Sequence, residues 1–177
     1  IFILCCFCSV YTFAQGTLEE KILLIDTAIE EEETQTAIIL CQSLLTEEIP
    51  DSTKVELSIT LGDLLTLVGD YDAAQKSYDQ AFVESEKSGS NDLQVRVLIE
   101  NGWLYEALGA METAIKYYKQ ALDICTQNKT TIDKYWYTES LHSLATASEI
   151  QHRYDEAESL YKEAFNMANE HMDKTSD

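Results

Sequence analysis

The sequence has little proline, little glycine and few basic residues. Its 177 residues include one proline and six glycines, and 12 lysines and arginines stand against 32 aspartates and glutamates. Because proline and glycine interrupt regular backbone, their scarcity beside 45% hydrophobic residues argues against disorder and favours helices over sheet. The formal net charge of −20 disfavours nucleic acids and anionic membrane surfaces as partners, since both carry charge of the same sign.

Sequence signatures of catalysis and of metal binding are also lacking. There is no glycine-rich phosphate loop, no Gly-x-Ser-x-Gly motif and no Cys/His cluster with zinc spacing. Glu-x-x-His occurs twice, as Glu139/His142 and Glu149/His152, but both copies fall on one predicted helix. Di-iron bundles place such pairs on two helices and add two further glutamates. We therefore expect no enzymatic activity, no metal ion and no cofactor.

The N-terminal residues 1–14, IFILCCFCSVYTFA, contain no charge, and polar residues begin at Gln15. The segment is similar to the hydrophobic region of a secretory signal peptide, which would be cleaved before Gln15. The alternatives are a buried core helix or an uncleaved membrane anchor, although the segment is shorter than the ~20 residues that a spanning helix needs. The first residue is not Met, so we expect the sequence to be incomplete at its N-terminus. From the signal-like segment we expect an exported bacterial protein that is periplasmic, secreted or on the cell surface.

One phrase recurs three times along the chain. It reads GDYDAAQKSYDQAF at 69–82, GAMETAIKYYKQAL at 109–122 and HRYDEAESLYKEAF at 152–165, at offsets of 40 and 43 residues. An amphipathic segment precedes each copy, so each unit is predicted to be two antiparallel helices joined by a tight turn. Gly69 and Gly109 would end first helices, and Asp70 would cap a second helix.

The repeat divides the chain into hairpin units. Full units are predicted at 51–88, 91–129 and 131–170, followed by a polar tail at 171–177. A degenerate pair at 15–49 precedes them, with helices over Leu18–Glu31 and Thr36–Leu45. No amphipathic helix follows to cover the last apolar face, so either a partner covers it or the natural chain continues. We expect it to continue, and residues outside this fragment could supply a membrane tether.

Small residues and a tyrosine are predicted to pack each unit. A glycine or alanine midway along the first helix should face an alanine 12 residues later, the tyrosine should act as a wedge, and a second alanine should admit the next unit. These positions are Gly62, Ala74, Tyr78 and Ala81, then Gly102, Ala114, Tyr118 and Ala121, then Ala145, Ala157, Tyr161 and Ala164. Cys41 and Cys125 are predicted to be small core residues too far apart for a disulfide, which needs Cα atoms within ~7 Å.

These positions resemble the tetratricopeptide repeat family over about residues 51–170. The resemblance implies an all-α fold, a right-handed α-solenoid of antiparallel helix pairs. It also implies a non-catalytic scaffold that binds a protein or an extended peptide in a concave groove lined by the first helices. The units are longer than the family's usual ~34 residues, which implies longer helices or loops.

By the same resemblance, ligand-contacting residues lie on the exposed stripe of the first helices. The stripe is Glu56, Ile59, Asp63 and Thr66, then Arg96, Ile99, Trp103 and Glu106, then Glu139, His142, Thr146 and Glu149. From this stripe we choose as ligand candidates Glu56, Asp63, Arg96, Trp103, Glu106, His142 and Glu149. The basic and amide residues with which chaperone-binding members grip a terminal carboxylate are mostly missing. Each first helix carries three acids and one base, so a cationic or neutral extended peptide suits this surface better.

The aromatic residues of the first helices allow two interpretations. Trp103 either contacts the ligand, as exposed aromatics at binding hot spots do, or packs against the adjacent repeat. Tyr135, Trp136 and Tyr137 belong either to a ligand site or to the core between repeats, and we expect the core.

Three functional classes remain open. The chain is an exported interaction module, or the extracytoplasmic input region of a larger signalling protein such as a sensor histidine kinase or a membrane-bound transcriptional regulator. A purely structural spacer is the third class, and it predicts that Trp103 and Arg96 tolerate substitution without loss of binding.

Overall fold

A computed structural model of the chain describes residues 16–172, with side chains to residue 169. The predicted signal segment 1–14 and most of the predicted tail lie outside the described residues. Eight helices follow one another here: α1 (Leu18–Glu30), α2 (Thr34–Leu44), α3 (Asp51–Leu67), α4 (Tyr71–Ser88), α5 (Asn91–Ala107), α6 (Met111–Gln127), α7 (Lys134–Ile150) and α8 (Tyr154–Met172). Between residues 16 and 172 no strand interrupts them. None of these helices is both long and apolar enough to cross a membrane.

The helices divide into two compact units, and the boundary follows Glu84 within α4. In the first unit α1 packs on α2, and α2 packs on α3. In the second unit α5 packs on α6, α6 on α7 and α7 on α8, and α5 also contacts α7 directly. The first helices of two successive hairpins, α5 and α7, are therefore neighbours in space.

Four helices, α1, α4, α5 and α7, start beside a polar side chain that accepts from a free backbone N–H group, whereas α2, α3 and α6 start without a side-chain cap. Thr17 and Glu20 form a capping box at α1, and Ser90 Oγ accepts from the Leu93 N–H at α5. The predicted cap is confirmed at α4, where Asp70 Oδ1 accepts from the Ala73 N–H at 3.2 Å. Asp133 does the same at α7, accepting from the Tyr135 N–H at 2.8 Å. Local sequence thus fixes where these helices begin.

The turns inside the hairpins share one geometry whichever residue occupies them. Gly69 and Gly109 adopt φ values of 81° and 73°, as their predicted role at helix ends requires. Glu32 and His152 occupy the corresponding places in the first and last hairpins with φ values of 59° and 62°. In every hairpin the next residue's N–H reaches back five residues, as from Asp70 to the Leu65 carbonyl at 2.9 Å. The two non-glycine residues adopt the left-handed conformation at an energetic cost.

The tyrosine of the second helix lies directly against the glycine of the first helix. A Cβ atom placed on Gly62 would lie 2.5 Å from Cε1 of Tyr78, and one on Gly102 would lie 2.1 Å from Cε1 of Tyr118. The atoms nearest to both glycines therefore belong to the tyrosines, whose flat rings fill the space above a residue without a side chain. That Ala74 and Ala114 also face these glycines stays a prediction.

The alanines contribute to packing between hairpins. In the second unit Ala114, Ile115 and Tyr118 of α6 form one buried cluster with Leu144 and Ala147 of α7. This cluster joins the hairpin α5/α6 to the first helix of the next hairpin. Burial of apolar surface at such a joint stabilises it by roughly 25 cal/mol per Å².

Both cysteines outside the N-terminal segment belong to the core. Cys41 and Cys125 are fully buried free thiols, as predicted. Burial raises the pKa of the Cys41 thiol to about 12 and that of the Cys125 thiol to about 11. Both thiols therefore stay protonated at neutral pH.

The last helix extends further than the sequence pattern indicates. Helix α8 continues to Met172, so the polar tail predicted to begin at residue 171 starts later. The segment remains helical there because no proline or glycine stops it.

Candidate functional site

A concave pocket of about 460 Å³ lies between α5 and α7. We call it the α5–α7 groove. It is lined by Trp103, Glu106 and Ala107 of α5 and by Glu139, His142, Ser143 and Thr146 of α7. Residues three or four positions apart lie on one face of a helix, so each helix contributes one continuous stripe. The groove brings together three of the predicted ligand residues, Trp103, Glu106 and His142.

Two contacts hold α5 and α7 side by side at the other end of the pair. The Asp133 N–H donates to Asp92 Oδ1 at 2.9 Å, which links the two helix starts. The Arg96 guanidinium lies 5.9 Å from the centre of the Trp136 ring, within range of a cation–π contact. Arg96, a predicted ligand residue, is half-buried by this arrangement.

Trp103 presents a large apolar surface to solvent inside the groove. Its side chain is 43% exposed, although the residues on either side of it, Gly102 and Leu104, are buried. An indole in this position is available for contact with a ligand, and aromatic residues of this kind often dominate binding energy. This exposure is compatible with contact to a ligand, and both interpretations of Trp103 stay open.

Glu106 is held in place by a tyrosine of its own hairpin. The Tyr118 hydroxyl donates to Glu106 Oε2 at 2.9 Å. Burial raises the pKa of Tyr118 far above its ordinary value, and the hydrogen bond to Glu106 and the nearby carboxylates raise it further. The phenol therefore keeps its proton and donates at any physiological pH, which fixes the carboxylate at the groove edge.

The same tyrosine–acid bond occurs in all three full repeats. Tyr78 donates to Asp63 Oδ1 at 2.6 Å, and Tyr161 donates to Glu149 Oε2 at 3.0 Å. Three of the predicted ligand acids, Asp63, Glu106 and Glu149, therefore also clamp their own hairpins. Sequence reasoning missed these bonds, although a spacing of 12 residues between acid and tyrosine in two of the repeats was a usable signal.

His142 and Thr146 of the groove contact the tyrosine of the last hairpin. The rings of His142 and Tyr161 lie 5.8 Å apart, and Thr146 Oγ1 is 3.1 Å from the Tyr161 hydroxyl. His142 remains exposed, so its imidazole is accessible from the groove.

The predicted stripe is narrower in the structure than in the sequence. Ile59 and Ile99 are fully buried, so their assignment to an exposed groove surface is wrong. Both are apolar residues that pack in the interior of their units. Glu56 and Asp63 are exposed on α3 in the first unit.

The aromatic cluster at the start of α7 is only partly core. Tyr137 is buried, and Trp136 is half-buried beneath Arg96, in agreement with the prediction of packing between repeats. Tyr135 is 60% exposed, so its assignment to the core is wrong. Its ring contacts the Trp136 ring edge-on at 4.8 Å and otherwise faces solvent.

A second concave surface lies on α8, and we call it the α8 face. It encloses about 710 Å³ and includes the apolar residues Tyr154, Ala157, Tyr161 and Phe165. Phe165 is 66% exposed, and an ion pair between Glu158 and Lys162 crosses the surface. Glu149 also lines it, but the tyrosine that orients this acid, Tyr161, is only half-buried.

Within residues 16–169, no three His, Cys, Asp or Glu side chains gather closely enough to hold a metal ion.

Two family models match the chain, and both describe the tetratricopeptide repeat. One matches residues 55–127 and the other residues 138–174. Together they include every residue that lines the α5–α7 groove. No enzyme family is indicated by either match. No curated protein sequence matches the chain significantly.

Several solved structures share the fold. MamA is 17% identical, with a TM-score of 0.67 over 90% of this chain and 82% of its own. A Rap protein in complex with Competence and Sporulation Factor is 18% identical, with a TM-score of 0.68 over 95% of this chain and 54% of its own. Aspartyl phosphate phosphatase F from Bacillus subtilis is 14% identical, with a TM-score of 0.63 over 93% of this chain and 39% of its own.

These similarities confirm the predicted fold class, an all-α solenoid of helix pairs. The chain spans about half or less of the length of the Rap protein and of the phosphatase. At identities below 20%, the likeness concerns the fold alone.

Proposed function

We propose that this chain, as a member of the tetratricopeptide repeat family, is a non-catalytic scaffold. It binds a protein or an extended peptide in the α5–α7 groove. The observation that carries the proposal is the exposed Trp103 indole beside two carboxylates, Glu106 and Glu139, in one concave pocket. An aromatic anchor with a charged rim is typical of surfaces that recognise peptides. The Rap protein in complex with Competence and Sporulation Factor shows that a related fold can hold a bound factor.

The charge of the groove indicates a cationic ligand segment. Three acids and one base lie on each of the stretches 51–68, 92–108 and 132–150, and the single base of the second, Arg96, is engaged over Trp136. A surface with more acidic than basic side chains attracts a positively charged partner and repels an acidic one. We therefore propose that the bound segment carries lysine or arginine.

Export is part of the proposal and rests on the uncharged residues 1–14. It is tested by mass spectrometry of the protein purified from its natural source. A mature N-terminus at Gln15 supports cleavage and export, whereas a chain that retains residues 1–14 contradicts cleavage.

The alternative function is the extracytoplasmic input region of a longer signalling protein, such as a histidine kinase or a membrane-bound regulator. The gene sequence downstream of residue 177 distinguishes the two functions. A downstream segment of ~20 apolar residues leading into a kinase or DNA-binding region would favour the input region.

Peptide binding is tested by selecting random 12-residue peptides displayed on phage against the purified chain. We expect enriched peptides whose affinity falls about tenfold or more in Trp103→Ala, since truncation of a buried aromatic anchor costs roughly 2 kcal/mol. Phe165→Ala is the matched control, because it removes a similarly exposed aromatic from the α8 face.

Two results would contradict the proposal. One is a selection that enriches no peptide. The other is a set of peptides that lose affinity in Phe165→Ala and bind Trp103→Ala normally, which would move the site to the α8 face.

A further inference from the structure

The floor of the α5–α7 groove contains a buried hydroxyl group without a partner. Ser143 lines the pocket and is 4% exposed, and among the described residues its Oγ finds no hydrogen-bond partner. A buried hydroxyl that forms no hydrogen bond costs about 1–3 kcal/mol. Such groups in native proteins are exceptions that call for an explanation, and a bound water or ion is one of them.

Two carboxylates of the same pocket have oxygen lone pairs that can accept further hydrogen bonds. Glu106 Oε2 accepts from Tyr118, which leaves Oε1 and further lone pairs for a ligand. The carboxylate of Glu139, four residues before Ser143 and therefore on the same face of α7, also lines the pocket. Glu106, Glu139 and Ser143 together offer three separate acceptors.

The electrostatic environment of the pocket is negative. Burial and the bond to Glu106 raise the pKa of Tyr118, and the charges of Glu106, Glu100 and Glu139 add to that rise. Three carboxylates therefore act on one point beneath the groove. Among residues 16–169, no lysine or arginine lines the pocket, and the one histidine that lines it is His142.

A primary ammonium group matches this set of acceptors. It is a compact charge with three N–H donors, which equals the number of separate acceptors. A guanidinium is planar and prefers paired, parallel acceptors, an arrangement for which a serine hydroxyl is poorly suited. The four-carbon stem of lysine also needs an apolar surface, and the Trp103 indole provides one beside the acids.

We infer that the α5–α7 groove binds the side chain of a lysine in its ligand, with Glu106, Glu139 and Ser143 accepting from the ammonium group and Trp103 covering the stem. This inference rests on the proposed function, since it names the ligand residue that the groove selects.

The test uses acetyl-Gly-Gly-Lys-Gly-Gly-amide, the lysine peptide, added up to millimolar concentration to the ¹⁵N-labelled chain. The readout is the indole N–H signal of Trp103 in the NMR spectrum, distinguished from that of Trp136 by a Trp136→Phe variant. We expect a saturable shift of the Trp103 signal. The same peptide with norleucine for lysine keeps the stem and lacks the charge. We expect it to bind about tenfold more weakly or worse, because hydrogen bonds to charged groups contribute roughly 1.5–3 kcal/mol.

Variants of the acceptors test their individual roles. We expect Glu139→Gln to weaken the lysine peptide about tenfold and Ser143→Ala about threefold. Glu112→Gln is the matched control, since it removes the same charge from an exposed site on α6 outside the pocket, and it should leave affinity unchanged. Thermal unfolding of each variant checks that the fold is intact.

Four results would overturn the inference. Three of them compare peptides with the lysine peptide: the norleucine peptide binds equally well, the same peptide with arginine for lysine binds equally well or more tightly, or a lysine-free peptide with an unblocked N-terminal amine binds more tightly. The fourth is that a folded Glu139→Gln variant binds the lysine peptide with unchanged affinity. If the lysine peptide fails while selected 12-residue peptides still depend on Trp103, the lysine subsite is wrong and the proposed function stands. If no selected peptide depends on Trp103, the proposed function itself is wrong.

Discussion

The hairpins α5/α6 and α7/α8 follow the same plan but enclose their central tyrosines to different degrees. Gly102, Gly109 and Ile115 of the first correspond to Ala145, His152 and Glu158 of the second, and Tyr118 corresponds to Tyr161. Tyr118 is fully buried, whereas Tyr161 is half-buried and also contacts Thr146 and His142. A tyrosine can thus be fully enclosed where the opposite helix offers a glycine and the next hairpin covers the ring.

The largest effect is expected when the glycine of the enclosed hairpin is replaced. In Gly102→Ala the new Cβ atom would lie 2.1 Å from Cε1 of Tyr118, so the ring must move. We expect a loss of about 2–3 kcal/mol in the free energy of unfolding, since overpacking outweighs the gain in helix propensity. Urea titration followed by circular dichroism measures it.

The reverse change in the other hairpin is the control. Ala145→Gly relieves no clash and should cost only about 1 kcal/mol through helix propensity. Equal losses in the two variants would show that glycine is not what allows the tyrosine to be enclosed.

A smaller effect is expected from removing the tyrosine hydroxyls. Tyr118→Phe removes the donor to Glu106 from a buried ring, and we expect a loss of about 1.5 kcal/mol. Tyr161→Phe removes a bond that is exposed to water, and about 0.5 kcal/mol is expected. Thermal unfolding of both variants at one pH would compare them directly.

Equal stability losses in the two phenylalanine variants would contradict the role assigned to burial. The Trp103 indole signal offers a second check, because a released Glu106 carboxylate should alter its chemical shift only in Tyr118→Phe.

The smallest effect concerns the turns. His152 holds the left-handed conformation with φ of 62°, which glycine adopts without strain. We expect His152→Gly to stabilise the chain by about 0.5–1 kcal/mol, even after losing the contact between His152 Nδ1 and the Tyr154 hydroxyl at 2.8 Å. Differential scanning calorimetry should show a higher Tm.

Gly109→Ala tests the turn of the other hairpin in the opposite direction. Nothing lies within 4 Å of the Cβ it would introduce, so any loss is conformational and should reach about 1 kcal/mol. A neutral Gly109→Ala would mean that the turn is set by its hydrogen bonds and not by the residue.

Much of the fold could be predicted from the repeated phrase, because helical spacing and turn residues are local properties. Gly69, Gly109 and Asp70 take the roles that their chemistry indicates. The contact of Tyr78 with Gly62 could not be predicted in this way. Spacing gives the direction of a side chain around its own helix, but the partner across a hairpin depends on how the two helices cross.

The candidate site was predictable as a stripe and not in its details. Trp103, Glu106 and His142 do share a pocket, since residues on one face of neighbouring first helices must meet. Ser143 was missed because a serine amid a helix carries no sequence signal of an unsatisfied hydroxyl. The burial of Ile59 and Ile99 was missed because the stripe was drawn one position too wide.

The bond between tyrosine and acid within each of the three full repeats bears on how such a chain can grow. Because both partners belong to the same hairpin, the carboxylate is set by residues that are inherited together. Duplication of one hairpin in the gene would therefore bring a new, already oriented acid with it. Under the proposed function, copying units would extend the acidic surface for a longer basic ligand without the redesign of individual side chains.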